Sequence, residues 1–380
     1  MNLALAADWL TTYGGAEHVI AEFLHMFPNA PLFTTVMKKS ALGGLTPDIR
    51  VSKLQKWYEL IGNHQVLLPW MPRAIESLDL RDYDVVLSSS HAVGKGVIVE
   101  PSTLHICYCH TPVRYAWEME EEYLRDFRVP KMLKKTIKRE LAKIRRWDLT
   151  SAKRVDFYIA NSTTTQERIK RIYNRESIVL SPPVDERFFA TSHKLPATSY
   201  FLAVCRLVPY KRIDLLIQVA NELKLPLKIA GRGQDEARLR AMAGDTVEFL
   251  GFVPEEKLPE LYANAKAFLF PQYEDAGVVL LEAQASGTPV IAFDAGGAKD
   301  LLKDGETGIF FAEQTTDSLK DALERFQSHT WDREKIRSHA RAFSQTIFRE
   351  KLKRIIEEAY GKFRAGEFRR DIFPLPEGEG

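Results

Sequence analysis

Glu274 and Glu282 stand eight positions apart on either side of Gly277, in the stretch 271–297, PQYEDAGVVLLEAQASGTPVIAFDAGG. The short apolar run 267–270 before them reads as a buried strand. Glu274 then falls in the turn after that strand, and Glu282 well inside a helix. Ser286-Gly287-Thr288-Pro289 stops the helix, because Gly suits a left-handed cap and Pro cannot continue. A second strand, 290–293, leads to a second glycine turn, Asp294-Ala295-Gly296-Gly297. The charged groups therefore lie beyond the carboxyl ends of strands, where open α/β sheets bind ligands. Spacings of three and four put Val278, Glu282, Ala285 and Ser286 on one helix face. That face is small around the carboxylate, so a flat ligand can approach it. A solvated surface Glu is the plainer reading of Glu282 taken singly. Its pairing with Glu274 and with two glycine turns argues for a site. Two carboxylates flanking a glycosidic bond would also suit hydrolysis.

Other residues of chemical character are spread through the first half. Gly14-Gly15 opens a helix after a strand at 3–7, and amides there can face an anion, although a plain tight turn gives the same sequence. Ser88-Ser89-Ser90-His91, with Lys95 nearby, follows a strand at 83–88 and is placed to line a cleft. His110 stands just past the strand 103–109, where a side chain can enter a cleft. His105, Cys107 and Cys109 share one face of that strand. Residues two apart have Cβ atoms about 7 Å from one another, too far to surround one ion, so core packing is favoured over a metal site. Asp82-Tyr83-Asp84 spells the Asp-x-Asp pattern of metal-dependent transferases, but it precedes a strand and is read as a turn.

The stretch 271–297 resembles the donor-binding motif of the retaining glycosyltransferases of family 4, which have the GT-B fold. The family's pattern of Glu, seven residues, Glu is here Glu274 and Glu282. Further family features recur in order over nearly the whole chain. Gly14-Gly15 is similar to the family's first glycine-rich loop, which lies beside the donor phosphates and the acceptor in relatives. By the same carry-over Asp8 is an acceptor contact and His110 occupies the place of a histidine near the donor sugar; Ser90 and His91, placed by their position after a strand, are expected to join Asp8 at the acceptor. Arg206 and Lys211 match the two cations for the donor pyrophosphate. Gly231-Arg232-Gly233 and the strand end Gly251-Phe252-Val253-Pro254 match turns near the base. The resemblance thus implies donor contacts at Gly14, Gly15, Arg206, Lys211, Gly231, Arg232, Val253, Glu274, Ala276, Gly277, Val278 and Glu282, with His110, Glu274, Arg206 and Lys211 catalytic. Two positions depart from the pattern: Asp275-Ala276 replaces the usual Gly-Phe, and Asp300 stands where Glu is commoner.

These residues need two α/β frames to hold them, and the chain length allows for both. Three hundred and eighty residues at 45% hydrophobic and 27% charged fit two or three globular domains. The expected architecture is two facing Rossmann-like, doubly wound domains with a cleft between them. The first covers 1–185 and the second 186–343; a helix near 344–363 returns to the first, and 366–380 is a flexible tail. The second half restarts the strand–helix alternation at 200–204, and strands at 157–160, 178–180 and 227–230 complete the rhythm. Asp304-Gly305-Glu306-Thr307-Gly308 reads as a hairpin-like turn.

A net charge of +2 excludes nucleic acid as the main partner. Three cysteines give no disulfide framework, and residues 2–7 enter a fold strand without a basic signal region. A cytoplasmic protein is expected, with one strongly basic segment: residues 125–154 hold 12 Lys/Arg against 3 Asp/Glu. Leu133, Ile137, Leu141, Ile144 and Trp147 follow helical spacing there, so the segment is an amphipathic basic helix. Its charged face is either solvated or turned to an anionic membrane surface, which would make the protein peripheral on the inner face of the cytoplasmic membrane. The aromatic-rich segment 47–71, with Trp57, Tyr58 and Trp70, is read as core packing, with a surface meeting an acyl chain as the alternative.

The resemblance implies sugar transfer from a nucleoside diphosphate, with retention at the anomeric carbon. The nucleotide-sugar is a substrate; no cofactor and no metal are expected. Arg206 and Lys211 would stabilise the leaving pyrophosphate, Glu282 would accept from the ribose hydroxyls, and Glu274 would face the sugar or leaving group. Both carboxylates lie on one strand–helix unit beside those cations, so nucleotide binding explains them better than hydrolysis. The wording around Trp9, Cys109-His110-Thr111-Pro112 and Tyr273-Glu274-Asp275-Ala276-Gly277 is most similar to members that build bacterial surface polysaccharide (O-antigen) with mannose. GDP-mannose is the expected donor, and a glycan or polyprenyl-linked glycan the acceptor. The alternatives are a UDP-sugar donor, a sugar-nucleotide epimerase of the same fold and a non-catalytic sugar-nucleotide-binding protein.

Overall fold

A computed structural model describes residues 1–42, 45, 47–118, 131–190 and 200–367. The start of the basic run at 125–130, the polar linker 191–199 and the tail from 368 lie outside the described residues. The chain divides into two compact units. The first comprises Met1–Asn161, Thr165–Leu180 and Arg349–Gly380, and the second Ser162–Thr164 and Ser181–Phe348.

The first unit is built on a seven-stranded sheet of order β3-β2-β1-β4-β5-β6-β7, every neighbouring pair parallel. Its strands are β1 (Leu3–Ala7), β2 (Leu32–Thr34), β3 (Ile49–Val51), β4 (Val85–Ser90), β5 (Leu104–Cys109), β6 (Phe157–Ala160) and β7 (Ser177–Val179). A parallel sheet covered on both faces needs continuous apolar strands rather than alternating ones. β1 reads LALAA and β5 LHICYC, and every residue of both is buried. Chain order runs outward from β1 to β3 on one side and from β4 to β7 on the other, so direction reverses between β1 and β4. The helix Gly15–Met26 follows β1 and buries Val19, Ile20, Phe23 and Leu24. The helix Gln345–Arg364 buries Leu352, Ile356 and Ala359 at near-four spacing, and its Arg349 Nε donates to Glu22 Oε2 at 2.5 Å.

The second unit has a six-stranded parallel sheet of order β10-β9-β8-β11-β12-β13. Its strands are β8 (Tyr200–Val204), β9 (Leu227–Ala230), β10 (Val247–Gly251), β11 (Ala265–Phe270), β12 (Val290–Phe293) and β13 (Gly308–Phe311). Alternate residues feed two cores, one on each face. Ala203, Ile229, Leu269 and Ile291 enter one; Leu202, Phe268, Phe270, Val290 and Ala292 enter the other. Here the direction reverses between β8 and β11.

Two expectations need correction. Residues 304–308 form the expected tight turn, with the Gly305 amide donating to Gly308 O at 2.8 Å, and the strand that follows, β13, pairs parallel to β12. Gly308-Ile309-Phe310-Phe311 is too short an apolar run to declare itself as a strand. Lys95 does not reach a ligand surface, because its ammonium is buried against Asp148 of the helix Lys131–Ala152. The segment 47–71 is only half core: Tyr58, Leu67, Leu68 and Met71 are buried, whereas Trp57, Val66 and Trp70 are exposed.

Candidate functional site

The point where strand order reverses leaves two neighbouring loops diverging, and ligands of open α/β sheets bind there. In the second unit those loops follow β8 and β11; the first carries Arg206 and Lys211, the second Glu274, and they bring Lys211 and Glu274 together. Lys211 Nζ donates to Glu274 Oε1 in a largely buried ion pair. Burial would depress the Lys211 ammonium, but the adjacent Glu274 carboxylate outweighs it and holds the pKa above its ordinary value. Lys211 Nζ also lies 5.5 Å from the centre of the Tyr210 ring, whose hydroxyl is 3.4 Å from Arg206 Nη2. Arg206 itself is exposed. Cys205, in the same loop, has its thiol pushed up to about 11 by burial, so it is a neutral wall.

Glycines let these loops approach backbone to backbone. A Cβ on Gly231, at φ +129, would lie 1.8 Å from the Cys205 carbonyl oxygen, and the Gly231 amide donates to Gly251 O at 2.7 Å. The ends of β8, β9 and β10 are thereby locked side by side, with Arg232 lying across Gly251 and Val253 half-exposed beyond it. A Cβ on Gly296, at φ +64, would lie 2.2 Å from the Glu274 carbonyl oxygen. This explains both glycine turns: they are contacts between loops.

Gly277, at φ +71, caps the helix Val278–Ala285. The helix does not show the single small face that spacing suggests. Residues 280–285 are all buried, so Glu282 lies in a core helix. Its Oε2 accepts from Tyr262 Oη at 2.8 Å. Burial raises its pKa to about 7, against the lowering effect of the Tyr262 hydrogen bond; Glu255 adds to the rise.

In the first unit the loops after β1 and β4 hold a second cluster. Asp8 is buried and accepts from the amides of His91 at 2.7 Å, Ala92 at 3.2 Å and Gly94, and from Ser90 Oγ at 3.2 Å. Its Oδ2 is also 2.7 Å from His91 Nδ1. Burial would raise the Asp8 carboxyl, yet these donors and the His91 charge hold it well below the usual carboxylate range. His91 is raised in turn: burial opposes its charge, but Asp8 more than restores it. Ser90 is 1% exposed and serves Asp8, whereas the His91 side chain keeps 33% of its surface open. His110 Nε2 lies 2.8 Å from Ser89 Oγ, and burial with the nearby His91 charge pushes its pKa down to about 3. It is a neutral imidazole at physiological pH. The Gly14 and Glu17 amides donate to the Glu17 carboxylate, so the glycine turn already faces an internal anion, whose pKa burial raises.

Asp84 accepts from the Asn2 amide at 2.7 Å, at the start of β4, and so fixes the edge opposite this cluster. Among the described residues no group of three His, Cys, Asp or Glu side chains is arranged around a common ion position.

Residues 184–343 match the family described as Glycosyl transferases group 1. This segment, which holds the whole second sheet, is a domain of that family. The group 1 domain contains Arg206, Lys211, Gly231, Arg232, Val253, Glu274, Ala276, Gly277, Val278 and Glu282, whereas Asp8, Gly14, Gly15, Ser90, His91 and His110 precede it. The chain is similar to the GDP-mannose-dependent alpha-(1-6)-phosphatidylinositol monomannoside mannosyltransferase of Mycolicibacterium smegmatis, 35% identical over 142 residues, 32% of this chain and 37% of that protein. It is 41% identical over 107 residues to the GDP-mannose-dependent alpha-mannosyltransferase of Mycobacterium tuberculosis, 28% of each chain. The matched segments thus span well under half of these relatives. Among solved structures, sucrose-phosphate synthase from Thermosynechococcus elongatus matches with TM-score 0.70 at 16% identity, over 94% of this chain and 99% of that one. The Anabaena HepE complex with UDP matches with TM-score 0.65 at 18% identity, over 94% and 100%. The fold is GT-B, with two Rossmann-like units.

Some residues of the two clusters are not evident from the sequence. Tyr262 precedes Glu282 by twenty positions with no motif to flag it. Trp9 stacks on His64 at 5.0 Å and meets His91 edge-on at 4.9 Å, a contact between distant loops. Asp148 did carry a signal, since it continues the buried spacing of Leu141 and Ile144.

Proposed function

We propose that the protein is a retaining glycosyltransferase that uses a nucleoside diphosphate sugar. The observation that carries this reading is the Lys211–Glu274 pair beside Arg206 at the reversal point between β8 and β11, inside the group 1 match. A departing pyrophosphate gains negative charge, and charge-assisted hydrogen bonds from fixed cations stabilise it. Arg206 is the clean test because it is exposed and its removal leaves the core intact. Arg206→Ala is expected to weaken nucleotide-sugar binding by about 1.5–3 kcal/mol, roughly 10- to 150-fold, with an unchanged melting temperature. Calorimetric titration with GDP, UDP, ADP and dTDP sugars measures it; affinity equal to the parent's for the preferred nucleotide would remove Arg206 from the site.

GDP-mannose is the donor we favour, supported by the names of the two mycobacterial relatives. UDP-sugars are the second reading, supported by the UDP-bound structural neighbour. Consumption of UDP-hexose with GDP-mannose untouched would decide for the second.

The acceptor in this reading is a glycan or a polyprenyl-linked glycan of bacterial surface polysaccharide, met at Asp8–His91 and at the anionic inner face of the membrane. The exposed cations Lys135, Lys138, Arg139 and Arg146 of the basic helix support the membrane part. No helix among the described residues is long and apolar enough to cross a membrane. Turnover is proposed to need no divalent ion, with Arg206 and Lys211 supplying the charge. Full activity in EDTA is the expected result, and activity restored only by Mg²⁺ or Mn²⁺ would refute it.

A further inference from the structure

Trp57, Leu60, Ile61, Val66 and Trp70 project into solvent from a segment whose conformation is firmly specified. Trp57 is 60% exposed, Leu60 78% and Trp70 54%. Trp57, Leu60 and Ile61 occupy one face of the helix Gln55–Ile61 by their spacing of three and four. Gly62, at φ +71, ends that helix, and the Asn63 side chain accepts from the Gln65 amide to start the next turn, His64–Trp70. Beneath the segment, Tyr58, Leu67, Leu68 and Met71 are fixed in the hydrophobic core. The outward side chains are therefore held out by a rigid base. Soluble surfaces seldom carry so large an apolar group in so few residues without a partner.

The surroundings identify the partner by charge. Lys53, Lys56 and Arg73 are exposed on the same segment. Its one exposed helical acid, Glu59, accepts from Gln55 Nε2 at 3.0 Å. The helix Lys131–Ala152, which exposes Lys135, Lys138, Arg139 and Arg146, packs its Trp147 on the same core as Tyr58 and Leu67. Trp and aliphatic side chains set among Lys and Arg match the interface of an anionic bilayer, where the rings sit at headgroup level. The segment also reaches the Asp8 cluster: the His64 ring stacks on Trp9, which abuts His91.

We propose that this segment is a membrane-insertion surface, entering an anionic lipid bilayer through Trp57, Leu60, Ile61, Val66 and Trp70. It thereby sets Asp8 and His91 close to the headgroup plane, for an acceptor anchored in that bilayer. The inference rests on the proposed lipid-linked acceptor but adds an apolar contact that the basic helix does not supply. It predicts binding that survives salt in part, unlike a purely electrostatic contact.

Vesicle flotation of the full chain tests it, with phosphatidylcholine vesicles against mixed phosphatidylcholine and phosphatidylglycerol vesicles. The parent is expected to float with the anionic vesicles. Trp57→Ser/Leu60→Ser/Trp70→Ser is expected to lower that partitioning on the order of 100-fold. Circular dichroism and nucleotide titration of the same variant should match the parent, which separates lost insertion from lost folding. Parent-like flotation of the triple variant, or no flotation of the parent, overturns the proposal. So does a parent dimer that the triple substitution dissociates without affecting flotation, since the patch would then bury a second copy of the chain. Absence of nucleotide binding by both proteins would instead overturn the transferase reading, and flotation would still report on the surface.

Discussion

Lys95→Met is expected to lower the unfolding free energy by about 3–5 kcal/mol, the cost of leaving a buried charge uncompensated. Lys95 is 2% exposed and Asp148 0%. Lys95 Nζ donates to Asp148 Oδ1 and, at 3.0 Å, to Ala92 O. Asp148 Oδ2 accepts from Trp117 Nε1 at 2.8 Å and Tyr173 Oη at 2.9 Å. Removing the ammonium leaves a carboxylate with neutral donors only. Lys95→Met/Asp148→Leu removes both charges and is expected to recover part of the loss, though the Trp117 and Tyr173 donors then lack their acceptor. Urea denaturation of the parent and the two variants measures both effects. A single-variant loss below about 1 kcal/mol would show that the pair is solvated or replaceable. The Lys95 pKa is raised, since Asp148 overcomes the opposing effect of burial. A raised lysine contributes stability that is lost only when pH climbs through its folded value, so this contribution is flat across the neutral range. The pair also matters to the site. Lys95 follows Gly94, whose amide holds Asp8, so the basic helix anchors the loop that keeps Asp8 ionised.

The contrast between what was legible in the chain and what was not follows from the range of each interaction. β1, β6, β8 and β12 are unbroken apolar runs between turn residues and β9 is interrupted only by Lys228, and the sequence-based bounds of all five coincide with the structure. The Lys211–Glu274 pair was legible as two motifs, each just past a strand end, because parallel topology converts that position into proximity. Short strands such as β2, β3 and β13 were not, since three or four residues do not separate strand from loop. Nor was the exposure of Trp57 and Trp70: composition marks them as apolar, and only the packing of Tyr58, Leu67 and Met71 beneath decides which side faces water. Lys95 was misread for the converse reason. A lysine after a strand looks like a ligand contact until the helix carrying Asp148 is seen to cover it.

Glu282→Gln is expected to reverse its effect on stability with pH and to flatten the pH dependence of nucleotide binding. Burial lifts the Glu282 carboxyl from 4.5 to about 7, while Tyr262 opposes the shift. Between those values the folded protein holds a proton that the unfolded chain has released. Stability therefore falls as pH rises through this window, by roughly 3 kcal/mol in all, and is level above it. Gln cannot ionise, so the variant is expected to be more stable than the parent at pH 8, by about 1–3 kcal/mol, and to differ little near pH 5. Thermal or urea melts at the two pH values read this directly. Binding gives the opposite slope. Ribose hydroxyls donate to a carboxylate, so nucleotide affinity of the parent should rise as pH passes about 7 and Glu282 ionises. In Glu282→Gln the affinity should be weaker by about 1–3 kcal/mol at pH 8 and indifferent to pH over the same range. A ribose role requires both results together. The stability crossover with parent-like nucleotide affinity would leave Glu282 a buried acid bonded to Tyr262, and the ribose would have to be held elsewhere in the unit. A buried carboxylate kept near neutrality is costly to maintain for packing, because a Gln or Leu fills the same space without the penalty. Ionisation coupled to ligand binding gives that cost a function.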